Sequence, residues 1–228
     1  MHRVYYVLAV LMMLGMECRA DSPPAPPADY TVRIPRDFPP PAERYTDADP
    51  SAHAVIVVPR HKLDLMAQLD RLAQAPADNW QAHVQRGFER APRGQSDGMR
   101  EDYAIALAQT KDRAADTRTV LWSYGWALQI NGKPAEALAE WRKAELAHGG
   151  RPFWVPYTYA VALWSANRKD EALEYYEAAV RSEPEKWSTE AGVARWTLHW
   201  GPLERGSIDE IHAAWSARRG TTSPPMPR

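Results

Sequence analysis

Two stretches of the sequence repeat each other 35 residues apart. The first reads Gly-Lys-Pro-Ala-Glu-Ala-Leu from Gly132, and the second reads Asn-Arg-Lys-Asp-Glu-Ala-Leu from Asn167. The same offset pairs Tyr124 with Tyr159 upstream. A period of this length is typical of a supersecondary unit that stacks on copies of itself, because one unit alone cannot bury its apolar face. This repeat constrains the fold more than any other feature of the chain.

Each unit carries the residues that a helical hairpin requires. Gly132 and Asn167 stand where the first helix ends, a position that favours a left-handed backbone conformation. Gly125 on the first helix and Ala137 on the second are small, which allows the two helices to approach closely. Trp141 follows one turn later and fills the remaining gap. The sequence therefore predicts two consecutive helix–turn–helix units.

These residues resemble the tetratricopeptide repeat (TPR) family, whose unit is a helix–turn–helix of about 34 residues. The resemblance is clear for 118–151 and 153–186, and weaker units flank them over about 80–113 and 187–218. It implies an all-α fold, a right-handed superhelix (α-solenoid) of about 3–4 antiparallel hairpins. The helical patterns run over about 62–75, 78–90, 98–111, 117–131, 134–147, 153–166, 169–182, 187–200 and 207–218.

Proline divides the chain into a helical domain and two flanking segments. Ten of the 20 prolines fall between residues 21 and 60, where they favour extended polyproline II. We expect an extended or disordered segment over 21–60, the TPR-like domain over 61–219 and a disordered tail over 220–228. The β-branched run 53–58 has no partner strand in the sequence. It is predicted to pack in extended form against a helix.

The first 20 residues have the pattern of a secretory signal peptide. Arg3 supplies the positive charge, residues 4–14 form a short apolar run, and the sequence up to Ala20 fits a cleavage site. We expect cleavage after Ala20 and a periplasmic or secreted protein. One alternative is a lipoprotein anchored through Cys18, the case in which we expect contact with a membrane; an uncleaved anchor is another. Cleavage after Ala20 leaves a mature chain without cysteine.

Charge and motifs narrow the classes of function. A formal net charge of −1, with basic and acidic residues interleaved, argues against a nucleic-acid reader, which needs a concentrated basic face. Residues 94–98 match the G-x-S-x-G nucleophile elbow, but a charged helical stretch precedes them where the mechanism needs a buried strand. The histidines lack metal-binding spacing. We expect no enzymatic activity, no cofactor and no metal.

The aromatic residues carry the site hypothesis, since all 10 tryptophans lie between Trp80 and Trp215. The resemblance implies a ligand in the concave groove lined by the first helix of each hairpin. The family's carboxylate clamp is missing at these positions, and an aromatic groove suits an extended proline-rich or apolar peptide. The alternative is that these rings pack between repeats. The predicted partner-binding residues are Trp122, Trp126, Gln129, Trp154, Tyr157, Val161, Trp164 and Arg195.

The resulting hypothesis is an exported TPR-type adaptor that binds a protein or an extended peptide. The chain's own Phe38-Pro39-Pro40-Pro41 stretch is also a candidate occupant of the groove, because it is a polyproline segment. Two other classes stay open. One is an immunity-type inhibitor of a secreted toxin, and the other is an envelope module that binds peptidoglycan or carbohydrate.

Overall fold

A computed structural model describes residues 32–76 and 78–222. Within these ranges the chain is helical and forms no β-strand, which confirms the predicted all-α class. One isolated parallel bridge joins Asp47 to Pro152. No described helix is long and apolar enough to span a bilayer. The predicted signal peptide over 1–20, with Cys18, and residues 223–228 of the predicted tail lie outside the described residues.

The described chain contains ten α-helices and a short 3₁₀ helix at Ala91–Arg93. The helices predicted between residues 78 and 182 are found to within about three residues of their expected ends. The last helix extends through Thr222, so the start of the predicted tail at 220 is wrong. The helices are α1 (Leu65–Ala73), α2 (Trp80–Arg90), α3 (Ser96–Thr110), α4 (Ala114–Ile130), α5 (Pro134–His148), α6 (Val155–Ser165), α7 (Lys169–Ser182), α8 (Pro184–Trp187), α9 (Glu190–Trp196) and α10 (Pro202–Thr222).

Helices α2 to α7 pack as three successive hairpins, α2 with α3, α4 with α5 and α6 with α7. The turns of the last two have the predicted geometry, because Gly132 has φ +73° and Asn167 has φ +60°. In each turn the next N–H reaches back to the preceding helix. Lys133 N donates to Leu128 O over 2.9 Å, and Arg168 N donates to Leu163 O over 2.8 Å. Both helices thus end in the same left-handed cap.

Neighbouring hairpins are joined by polar contacts between residues 35 or 36 positions apart. Ser96 Oγ donates to Asn131 Oδ1 over 2.8 Å, at a separation of 35. Gln129 Nε2 donates to Ser165 Oγ over 2.9 Å, at a separation of 36. The separations equal the sequence period or exceed it by one. Near-equivalent positions of successive hairpins therefore lie side by side, and α10 continues the series by packing against α6 and α7.

The prediction of one helix over 187–200 is wrong. The chain forms α8 and α9 instead, and a sharp elbow separates them. A Cβ at Gly192 would lie 2.7 Å from Glu185 O and 2.8 Å from Lys186 O, so the backbone of α8 packs directly on α9. Thr189 caps α9 by accepting a hydrogen bond from Gly192 N over 3.1 Å. We call residues 184–201, which lie between α7 and α10, the insertion.

Residues 35–60 form an extended strap that crosses the helices. Helix side chains hold it by its main chain: Tyr175 Oη donates to Pro39 O over 3.0 Å, and Arg181 Nε donates to Glu43 O over 3.0 Å. At the far end, Gln85 Oε1 on α2 accepts hydrogen bonds from the N–H groups of Val57 and Val58. The predicted extended packing of 53–58 against a helix is confirmed.

Candidate functional site

The eight predicted groove residues differ in accessibility. Trp122 and Trp164 are half-buried, and Arg195 is exposed. The other five are core residues, and the expectation that they line an open groove is wrong for them. Their side chains can contact a partner only if covering elements move away. The exposed fractions are 0% for Trp154 and Val161, 8% for Trp126 and Tyr157, and 9% for Gln129.

The insertion covers the face of α4 and α6 where the groove was expected. The Trp200 ring packs against Trp126 with centroids 5.0 Å apart and against Tyr157 at 5.7 Å. Trp187 stacks on Tyr157 at 5.0 Å. Ring pairs at these distances attract each other beyond the gain from burial alone. The predicted groove residues therefore hold the insertion in place, and burial raises the pKa of the Tyr157 phenol, which stays protonated.

Trp154 lies in a different environment from the other predicted residues. It stands at the start of α6, and its indole N–H donates to Asp49 Oδ2 of the strap over 3.0 Å. Phe38 of the strap also lies away from the expected groove, since its ring packs on Tyr159 at 5.7 Å and on Tyr175 at 5.8 Å. The Phe-Pro-Pro-Pro stretch is thus docked on the chain itself, but not where it was predicted.

Trp164 and Gln129 form hydrogen bonds with other helices of the protein. The Trp164 indole N–H donates to Glu210 Oε2 of α10 over 2.8 Å, and Lys169 Nζ lies 3.4 Å from the centre of its ring. Gln129 bonds to Ser165, as described above. These two side chains tie α4, α6 and α10 together. Of the predicted set, Arg195 is the most accessible.

Arg195 lies beside a group of exposed apolar side chains that the predicted set of eight residues does not include. We call this group the turn patch: Trp196, Leu198 and Leu203, with exposed fractions of 50%, 62% and 72%. It extends from the last residue of α9 through the connection to the first turn of α10. A signal was present in the sequence, because Gly201-Pro202 interrupts the helical pattern between Leu198 and Leu203.

A buried residue and two main-chain hydrogen bonds hold the turn patch in place. Thr197, between two patch residues, is fully buried, and its N–H donates to Val193 O over 3.0 Å. Trp200 N donates to Thr197 O over 2.9 Å, which closes the turn. Trp200 then points into the aromatic cluster of Trp126 and Tyr157. Within the turn, Thr197 and Trp200 thus face the core, whereas Leu198 and His199 face the solvent.

We expect Trp200 and Trp196 to differ sharply in their effect on stability. Replacing Trp200 with alanine removes the ring that fills the space between two core aromatics, and should cost about 2–3 kcal/mol of the free energy of unfolding. Trp196→Ala removes an exposed ring and should cost less than about 1 kcal/mol. Urea unfolding followed by circular dichroism measures both. Equal losses would contradict the assignment of Trp200 as the anchor of the insertion.

The remaining motifs do not assemble catalytic chemistry in the described residues. Ser96 of the G-x-S-x-G match is the first residue of α3, and its hydroxyl donates to Asn131. His83 binds the buried Asp102 over 2.9 Å. In the described ranges no three His, Cys, Asp or Glu side chains converge as a metal site would require. The turn patch is the clearest candidate for a functional surface among the described residues.

Comparison of the chain with protein-family models, curated proteins and solved structures gives no match. The candidate site is accordingly defined by its geometry. It consists of the exposed turn patch, an aromatic cluster that anchors the insertion, and the hairpins that carry the cluster.

Proposed function

We propose that this chain is an exported adaptor that binds a protein partner through the turn patch. In this proposal the hairpins form a TPR-type right-handed superhelix, and the insertion rests in its concave face. The polar contacts between residues one period apart support the stacked arrangement. The signal-peptide pattern of residues 1–20 supports export.

The single observation that carries the proposal is the exposure of the turn patch. Three large apolar side chains within eight residues face solvent, although the same turn buries Thr197 completely. Contiguous apolar surface of this kind marks protein interaction sites. Tryptophan is also the residue type most enriched among side chains that dominate binding energy. A partner with an apolar pocket would cover this surface.

The exposure of the patch determines the kind of partner. The filled groove no longer offers an open channel to an extended peptide, whereas the patch side chains are exposed to solvent. Exposed apolar side chains of this size fit an apolar pocket on a folded partner. The hydrogen bonds of the turn hold the patch in one conformation before binding, which lowers the entropic cost of association.

The test is capture of partners from the native cell envelope by the immobilised chain. We expect the double variant Trp196→Ser, Leu198→Ser to lose the partner that the unmodified chain retains. Loss of one tryptophan hot spot corresponds to about 2 kcal/mol, or about a 30-fold weaker affinity. Quantitative mass spectrometry of the captured proteins, followed by titration calorimetry with the purified partner, measures the change.

A matched control separates the patch from exposed apolar surface in general. Leu63 and Leu146 are 107% and 65% exposed and lie elsewhere on the chain. The double variant Leu63→Ser, Leu146→Ser should capture the partner as the unmodified chain does. All of these side chains are exposed, so each double variant should stay folded. Equal capture by both double variants would rule out the turn patch as the binding surface.

A further inference from the structure

A second surface, separate from the turn patch, lies between the strap and α10. It is an open cleft of about 470 Å³ bounded by Pro40 and Pro41 on one side. Leu173 and Trp215 form its apolar floor, and both are more than nine-tenths buried. Its volume falls within the range of about 300–1,000 Å³ that is usual for ligand sites. The rim consists of Glu174, Glu177, Arg181, Arg218 and Arg219.

The apolar walls of the cleft are suited to a polyproline II segment. Proline-rich ligands dock on aromatic-lined grooves, and their fixed backbone loses little entropy on binding. Trp215 is held in place, because its indole N–H donates to Glu177, its ring packs on Tyr176 at 5.8 Å and the Arg219 guanidinium lies 5.1 Å from the ring centre. Pro41 extends the apolar wall beside it. The ligand class that these walls fit is a short proline-rich peptide.

The charges on the rim select the ligand further. Arg181 and Arg219 contact Glu177 at 3.7 Å and 3.5 Å, and Arg218 pairs with Asp170. Glu174 is exposed, and no ion pair joins it to another of the described residues. The Glu174 carboxylate is therefore the rim charge that a ligand can pair with. It favours a peptide with a cationic side chain next to its prolines.

The chain itself carries such a segment directly after α10. Residues 223–228 read Ser-Pro-Pro-Met-Pro-Arg, so Pro224 and Pro227 have the P-x-x-P spacing, and Arg228 follows. We propose that the cleft is a polyproline-binding site and that residues 223–228 of the same chain occupy it. Arg228 then pairs with Glu174, and the prolines lie between the Pro40–Pro41 wall and the edge of Trp215.

The reach of the segment is sufficient. Arg219 lines the cleft, and Thr222, the last residue of α10, lies about 4.5 Å further along the helix axis at 1.5 Å per residue. Six residues in polyproline II conformation span about 19 Å. Turning back from Thr222 to the level of Trp215 requires about 10 Å along the helix. The segment can therefore lie over the cleft with two residues left for the turn.

The test uses a fluorescein-labelled peptide with the sequence of 223–228 and two forms of the full chain. In one form, Pro224, Pro225 and Pro227 are replaced by serine, which removes the tethered competitor. We expect this form to bind the peptide with a Kd of about 100 μM. A short tether gives an effective concentration in the millimolar range. The unmodified chain should therefore bind the free peptide about 10-fold more weakly.

A charge reversal tests the contact with Arg228. In the serine-substituted chain, Glu174→Arg should weaken peptide binding at least 5-fold, whereas Glu185→Arg, at an exposed position on α8, should leave it unchanged. Fluorescence anisotropy measures each Kd. Absence of binding up to 1 mM would overturn the site itself. Equal affinity of the unmodified and serine-substituted chains would overturn the assignment of 223–228 as its occupant.

Discussion

Replacing Gly125 with alanine is expected to destabilise the fold by at least about 3 kcal/mol. A Cβ at this position would lie 2.6 Å from Trp141 Cε2 and closer still to the Cδ1 and Nε1 atoms of the same ring. The ring cannot move aside, because it is fully buried and its N–H donates to Trp122 O over 3.0 Å. The methyl group must therefore push α4 and α5 apart. Equilibrium unfolding in urea, followed by circular dichroism, measures the loss.

The same substitution at Gly206 provides the control. Gly206 lies inside α10, and a Cβ there would meet no atom within 4 Å. Alanine is a better helix former than glycine by about 1 kcal/mol, so Gly206→Ala should raise the free energy of unfolding by up to that amount. Two identical changes in helices are thus expected to act with opposite sign. A loss at Gly206 similar to that at Gly125 would mean that packing against Trp141 is not the cause.

A double variant locates the clash. Trp141→Leu alone should be strongly destabilising, because it empties space in the core. Combined with Gly125→Ala, it removes the ring atoms that the methyl group would meet. The double variant should therefore be more stable than the sum of the two single losses predicts, by at least about 1 kcal/mol of coupling energy. Additive losses would contradict the direct contact.

The hairpins could be predicted from the sequence because their determinants are local. Gly132 and Asn167 end their helices in the left-handed conformation, and the residues that identify each turn lie within seven positions of one another. Gly125 and Trp141 meet across a single short turn. Contacts of this kind depend on backbone conformation and side-chain size, and both can be inferred from residue type.

The covering of the groove depends on contacts that the sequence does not specify locally. The Trp200 ring meets Trp126 and Tyr157, which belong to two other hairpins. The elbow that brings it there depends on Gly192, which lies inside the single helix predicted over 187–200. A tryptophan that lines an open groove and one that is covered by an insertion have the same helical spacing. The pattern therefore indicated that Trp126 and Tyr157 lie on neighbouring helices, but it could not indicate that the insertion covers them.

The strap is hard to predict for a different reason. Helix side chains bind it largely through its main-chain carbonyl and N–H groups. Every residue has the carbonyl and every residue except proline has the N–H, so these bonds depend little on residue type. Arg181 donates to Glu43 O and Tyr175 donates to Pro39 O, and the side chains of the accepting residues take no part in these bonds. Composition predicts an extended conformation for this part of the chain, but it carries little information on where the strap docks.

Replacing Asp102 with alanine should have the largest electrostatic effect in the protein, about 3–5 kcal/mol. Asp102 is fully buried between α2 and α3. Its carboxylate accepts from Arg86 Nη2 over 2.6 Å and from Arg90 Nη1 over 2.7 Å, and it also binds His83. Only 12% of the Arg86 side chain and 20% of the Arg90 side chain are exposed. Removing the carboxylate takes away the buried partner of two largely desolvated cations, and leaves Arg86 with the more exposed Asp70 and Arg90 with the Gly98 carbonyl. Urea unfolding measures the loss.

Asp70 is the matched control, because it pairs with the same Arg86 over 3.0 Å but its side chain is 47% exposed. Water replaces an exposed partner at little cost, so Asp70→Ala should lose less than about 1 kcal/mol. A triple variant separates two causes of the destabilisation: the loss of the ion-pair attraction, and the cost of leaving buried arginine charges without a carboxylate. If the cost of the unpaired arginine charges is the larger cause, adding Arg86→Met and Arg90→Met to Asp102→Ala should restore part of the stability. Further loss in the triple variant would instead mean that the aliphatic stems and hydrogen bonds of the arginines hold α2 and α3 together.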